Sequence, residues 1–70
     1  MSDRINMVKG YRVAAGISQE EMAEALGMSD TTYRKLENDP DKFTLEQMNK
    51  FTDKIKQVHP EVNTNDIFLA

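Results

Sequence analysis

The 70-residue chain contains no cysteine and no tryptophan, and it has a single histidine. Without cysteine there is no disulfide to staple a small domain, no thiolate to hold a metal and no thiol nucleophile. The composition suits a reducing compartment. His59 precedes Pro60 and has neither a second His nor paired carboxylates at ligand spacing, so neither a metal centre nor histidine acid–base chemistry is expected there. No Ser-His-Asp arrangement, phosphate-cradling glycine loop or paired-acid site is visible. The expectation is a non-enzyme with no cofactor and no metal. No apolar run is long enough to span a membrane. Asp3 and Arg4 stand where a signal peptide would build its apolar core, which points to the cytoplasm. With three Gly, two Pro and no repeats, the chain carries little punctuation, and each break is informative.

What remains is an ordinary folded composition, 39% hydrophobic and 30% charged. Residues 1–70 read as one domain with little core to spare. Nine basic and twelve acidic side chains leave a formal charge of −3, a quantity that bears on association more than on fold.

Residues 3–15 predict a first helix, with Ile5, Val8, Tyr11 and Ala15 on one face. Ser2 or Asp3 could cap its start, Gly10 weakens its middle and Gly16 ends it. Ser18 opens a second helix through a capping box with Glu21. Met22, Ala25 and Leu26 form its apolar stripe, and Gly27 terminates it. Ser29 or Asp30 starts a third helix running to Glu37 or Asn38. Tyr33 and Leu36 face inward, and Thr31, Arg34 and Lys35 face out. Asn38-Asp39-Pro40-Asp41 is a loop signal. Thr44 and Gln47 make another capping box, opening a fourth helix with a Leu45, Met48, Phe51, Ile55 stripe that ends before Pro60. Asn63 or Thr64 could cap a last turn carrying Ile67 and Phe68. Met22, Met28 and Met48 read as core filler. The fold class is all-α, five helices closing around one shared core.

The segment 18–38, SQEEMAEALGMSDTTYRKLEN, has two short helices separated by a break at Gly27-Met28-Ser29. This is the layout of a helix-turn-helix, whose second helix enters the DNA major groove. The run RVAAGISQEEMAEALGMSDTTYRKLEN, followed by TLEQMNKFTDKI, resembles the phage-repressor and Cro-type helix-turn-helix family, also called the xenobiotic-response-element family. The resemblance covers about Val8 to Phe68. It implies a compact lambda-repressor-like domain with residues 29–38 as the recognition helix. Small Ala23 allows a close helix crossing, and Gly27 relieves the turn.

The resemblance also implies roles for particular residues. Arg12 and Glu37 occupy the places of a structural ion pair between the first and third helices. Gln19 would contact phosphate or a flanking base. Ser29, Asp30, Thr31, Arg34, Lys35 and Asn38 would form the DNA-facing side, with Lys42 on a phosphate. Asp30 could accept from a cytosine amino group and Thr31 could touch a thymine methyl. Arg34 and Lys35 could read guanine or hold phosphate. The plainer alternative is a solvated helix face with Asp30 as its N-cap. Asp39-Pro40-Asp41 departs from the Gly and basic residues common in the family at that place.

Two functions suit these residues. One is a sequence-specific transcription regulator, phage-encoded by resemblance and acting in the bacterial cytoplasm or nucleoid. It would bind a double-stranded operator as a weak homodimer with half-sites about 34–36 Å apart. The other is an antirepressor or modulator that forms a heteromer with a phage repressor by protein contact. The apolar end Ile67, Phe68, Leu69 either closes the core or serves as that protein interface.

Overall fold

The computed structural model describes residues 6–68. Five helices and one 3₁₀ turn follow in chain order: α1 Met7–Ala14, α2 Gln19–Leu26, α3 Asp30–Asn38, the 3₁₀ turn Pro40–Lys42, α4 Leu45–Lys56 and α5 Thr64–Phe68. No strand occurs among the described residues. α2 packs on α3 and α4, while α5 packs on α1 and α4.

Local chemistry sets most of these boundaries. α1 and α2 end alike. Gly16 and Gly27 both adopt φ +73. At the end of α1, the Gly16 amide donates to the Val13 carbonyl and the Ile17 amide to that of Arg12. At the end of α2, Gly27 donates to Glu24 and Met28 to Ala23. Each pair is the double closure of a Schellman motif. Ser18 with Glu21 and Thr44 with Gln47 form reciprocal capping boxes at the starts of α2 and α4. Asn63 caps α5: its side chain accepts from the Asp66 amide, and Asp66 accepts from the Asn63 amide.

The first helix departs from the expected 3–15. It begins at Met7, because Asn6 caps it by accepting from the Lys9 amide at 3.0 Å. The same Asn6 donates to the Glu37 carbonyl at 2.9 Å, so its non-helical conformation is held from two sides. Ser2, Asp3 and Ile5 lie outside the described residues, as does Leu69.

The core gathers Val8, Ile17, Met22, Ala23, Leu26, Tyr33, Phe43, Phe51, Ile55, Val62 and Ile67. Phe43, Phe51 and Phe68 form a triangle with ring centroids 4.9–5.9 Å apart, mostly edge-on, which ties the chain's end to α4. Met28 and Met48 pack at the core's margin. Leu45 is a correction to the expected α4 stripe. At the first position of the helix it is 70% exposed, and no neighbouring element among the described residues covers it. Thr52 is buried instead. Its hydroxyl donates to the Met48 carbonyl at 2.8 Å, which satisfies the polar atom and frees its methyl for the core.

The three glycines separate backbone strain from crowding, since a Cβ at any of them meets no atom within 4 Å. Gly16→Ala and Gly27→Ala should each destabilise by about 1–2 kcal/mol through the left-handed backbone alone. Gly10→Ala, inside α1, should stabilise by about 0.5–1 kcal/mol. Urea denaturation of the three variants measures this, and equal effects at all three sites would refute it.

Candidate nucleic-acid interface

α2, the Gly27 turn and α3 form a bihelical unit whose inner face is locked. Tyr33 and Glu37, one turn apart on α3, are 0% and 2% exposed. The Glu37 carboxylate accepts four side-chain hydrogen bonds. Oε2 takes Arg12 Nε at 2.6 Å and the Tyr33 hydroxyl at 2.8 Å. Oε1 takes Gln19 Nε2 at 3.0 Å and Arg12 Nη2 at 3.3 Å. Arg12 also donates from Nη1 to the Ile17 carbonyl at 2.8 Å. Residues of α1, α2 and α3 therefore converge on one carboxylate, and the bidentate Arg12–Glu37 pair implied by the sequence is in place.

The titration of these groups follows from their surroundings. Burial would raise the Glu37 carboxyl, but hydrogen bonds from Arg12, Tyr33 and Gln19, with the Arg12 charge, outweigh it and hold it below the usual 4.5. The Tyr33 phenol is pushed up from 10.0, first by burial and then by its bond to Glu37. The Arg12 guanidinium is raised by its hydrogen bond to Glu37, against the opposing effect of burial.

The outer face of α3 is built differently. Ser29 caps the helix by accepting from the Thr32 amide at 3.1 Å, and its hydroxyl donates to Thr32 Oγ1 at 2.9 Å. Ser29, rather than Asp30, is thus the cap. Thr31, Arg34, Lys35 and Asn38 are exposed, as is Lys42 on the 3₁₀ turn. Asp30, the first helical residue, is half-buried and pairs with Arg34, Oδ2 to Nη2, at 3.2 Å. Its Oδ1 is buried without a hydrogen-bond partner. A cytosine contact by Asp30 would require that pair to open. Asp30 also lines an open depression of about 490 Å³ together with Glu20, Glu21, Glu24 and Met28, so the acidic residues of α2 share one surface.

Other candidates fall elsewhere. Gln19, at the start of α2, is half-buried with its amide on Glu37 rather than fully solvated. Ile67 is buried and Phe68 packs against Phe43 and Phe51. His59 Nδ1 lies 3.9 Å from Glu61. No group of His and carboxylates among the described residues could hold a metal ion, and no helix among them is long and apolar enough to cross a membrane. The sequence reading missed the polar roles of Tyr33 and Gln19. The spacing of Tyr33 and Glu37 is a detectable signal for the first, whereas nothing local marks the second.

The family model described as Helix-turn-helix matches residues 8–62, more than half of the chain. Among curated proteins none matches, and among solved structures none matches either.

The buried network makes a prediction with a definite sign. A carboxyl lowered by folding contributes its stability in full above pH 4.5, and that stability is lost as pH falls through the folded value. A phenol raised by folding contributes in full below pH 10.0, and that stability is lost as pH rises through the folded value. Glu37→Gln should therefore flatten the acid limb of a stability–pH curve, and Tyr33→Phe the alkaline limb. Arg12→Ala, which strands a buried carboxylate, should cost about 3–5 kcal/mol near neutrality. Urea melts across pH check all three, and an acid limb unaffected by Glu37→Gln would assign it to other carboxylates.

Proposed function

Because the chain belongs to the Cro/C1-type helix-turn-helix family and is a DNA-binding regulator of that kind, we propose that it is a sequence-specific, phage-type transcription regulator acting as one domain. The observation that carries this reading is the division of α3. Its inner face is fixed by Tyr33, Leu36 and Glu37, while Thr31, Arg34, Lys35 and Asn38 are exposed on the outer side. A helix presented this way enters the major groove with its first turns against base edges. Thr31 meets a thymine methyl, and Arg34 and Lys35 meet guanine or phosphate. Ser29, Asn38 and Lys42 flank the groove as backbone contacts, which fix register without carrying sequence information.

Gln19 joins the two halves of this reading. One N–H of its amide is held by Glu37, and the other remains for a phosphate at the N-terminus of α2, where the helix dipole favours an anion. A weak homodimer reading a two-fold operator is the assembly proposed for this domain.

A second reading is favoured by one observation. Glu20, Glu21, Glu24 and Asp30 line a common depression beside the recognition helix. That surface suits a basic protein partner, and a repressor of the same phage type is the partner of choice for a modulator or antirepressor.

The test is a gel-shift titration at low and near-physiological salt. It uses the DNA upstream of the gene, unrelated DNA as competitor and the neighbouring repressor where one is encoded. Specific binding by the chain alone is expected. Arg34→Ala combined with Lys35→Ala should abolish it while leaving the thermal melt near that of the parent. For residual non-specific binding, the slope of log affinity against log salt should become shallower by about 0.9 for each phosphate that the variant no longer neutralises. No binding alone, together with a changed repressor complex, would replace this reading with the second.

A further inference from the structure

The outer face of α3 carries an ion pair in the position where base reading takes place. Asp30 and Arg34 lie one turn apart, with Asp30 Oδ2 and Arg34 Nη2 3.2 Å from each other. An exposed pair of this spacing adds little to stability, so its value to the fold does not account for it. Its two ends differ. The Arg34 side chain is 60% exposed and that of Asp30 36%. Asp30 Oδ1 is buried, in a carboxylate set against the α2 depression beside Met28 and Glu24. The anion is the more enclosed end of the pair and the guanidinium the more exposed end.

We infer that Asp30 is a positioning residue for Arg34: Arg34 reads a guanine, and Asp30, though on the recognition helix, reads no base itself. This rests on the DNA-reading function proposed above. A guanidinium has five N–H donors in a planar fork, so a bond from Nη2 to Asp30 leaves donors for the O6 and N7 acceptors of guanine. Holding the fork in one orientation before DNA arrives removes freedom that binding would otherwise have to remove. The carboxylate also offsets the positive charge of Arg34 toward phosphate. A phosphate gains mainly from that charge, whereas a guanine edge gains from directed donors. The pair therefore favours base over backbone. A cytosine amino group would have to share or displace the Arg34 contact at Asp30 Oδ2, since Oδ1 is buried.

The experiment is selection from a random double-stranded DNA pool with the intact chain. Titrations of oligonucleotides substituted at single base pairs follow, at two salt concentrations, for the parent, Asp30→Asn, Asp30→Ser and Arg34→Lys. Thermal melts confirm that each variant folds, and Asp30→Ser supplies a second route should Asp30→Asn fold poorly. The parent should prefer guanine at one position of each half-site by roughly 5- to 150-fold. Arg34→Lys, which keeps the charge but not the planar fork, should reduce that preference with the salt slope unchanged. Asp30→Asn should move the same preference toward parity while tightening binding to unrelated DNA. A guanine preference untouched by either Asp30 variant overturns the inference and leaves the DNA-reading function standing. So does a preference altered at a different base pair, which would make Asp30 a reader. A parent that enriches no sequence overturns the function itself, and this inference with it.

Discussion

A carboxylate in the last turn of α3 is the constraint on which the first half of the molecule depends. Moving an ionised carboxylate out of water is strongly unfavourable unless its charge and lone pairs are met. Glu37 is met by a guanidinium from α1, an amide from the start of α2 and a phenol from its own helix. Its backbone carbonyl accepts from Asn6, just ahead of α1. These donors reach the two oxygens only if α1, α2 and α3 stand at one set of distances and angles. A slipped arrangement would leave a buried charge short of partners, a penalty as large as much of a small domain's stability. The apolar contacts of the core hold the helices together, and the Glu37 network selects which way they are held.

That selection bears directly on DNA reading. Residues 33, 36 and 37 of α3 are committed inward, so the orientation of the outward residues is settled before any ligand arrives. Gln19 extends the same network to the surface. A side chain with three rotatable torsions is normally a poor positioning group, but one of its amide hydrogens is fixed on Glu37. The buried ion pair and the Gln19 amide are thus held on the same carboxylate, which links the core to the start of α2.

The parts of the fold legible from sequence are those decided within a few residues. Ser18 with Glu21, Thr44 with Gln47, and the glycines at 16 and 27 act on backbone groups three to five positions away, and each does in the structure what its type and spacing imply. The starts of α2 and α4 and the ends of α1 and α2 follow from them, and the inward placement of Tyr33 follows from its spacing with Leu36. What could not be read depends on the distant chain. Asn6 displaces the expected caps because Glu37, 31 positions on, holds its side chain. Leu45 fits its stripe by periodicity, yet no element among the described residues reaches over the start of α4, while Thr52 is tolerated inside because its hydroxyl finds the Met48 carbonyl. At the interface, the outward residues of α3 were legible as a face, but the tether on Gln19 and the enclosure of Asp30 needed three-dimensional neighbours.

The acidic balance of the chain looks unsuited to a polyanionic ligand, and the placement of its charges answers this. Non-specific affinity for DNA comes chiefly from cations facing phosphate. Here Arg12 is buried against Glu37 and Arg34 is partnered by Asp30, while Glu20, Glu21 and Glu24 flank the helix that reads. Lys35 and Lys42 are exposed on and beside α3, so under the proposed reading attraction to arbitrary sequence rests on a small number of cations. Specificity is a difference between two affinities, and it grows when the competing one is lowered as surely as when the wanted one is raised. A small domain with few base contacts has little scope to raise the second. Under the proposed reading, acidic residues beside α3 lower the first, and a net charge of −3 is consistent with that reading.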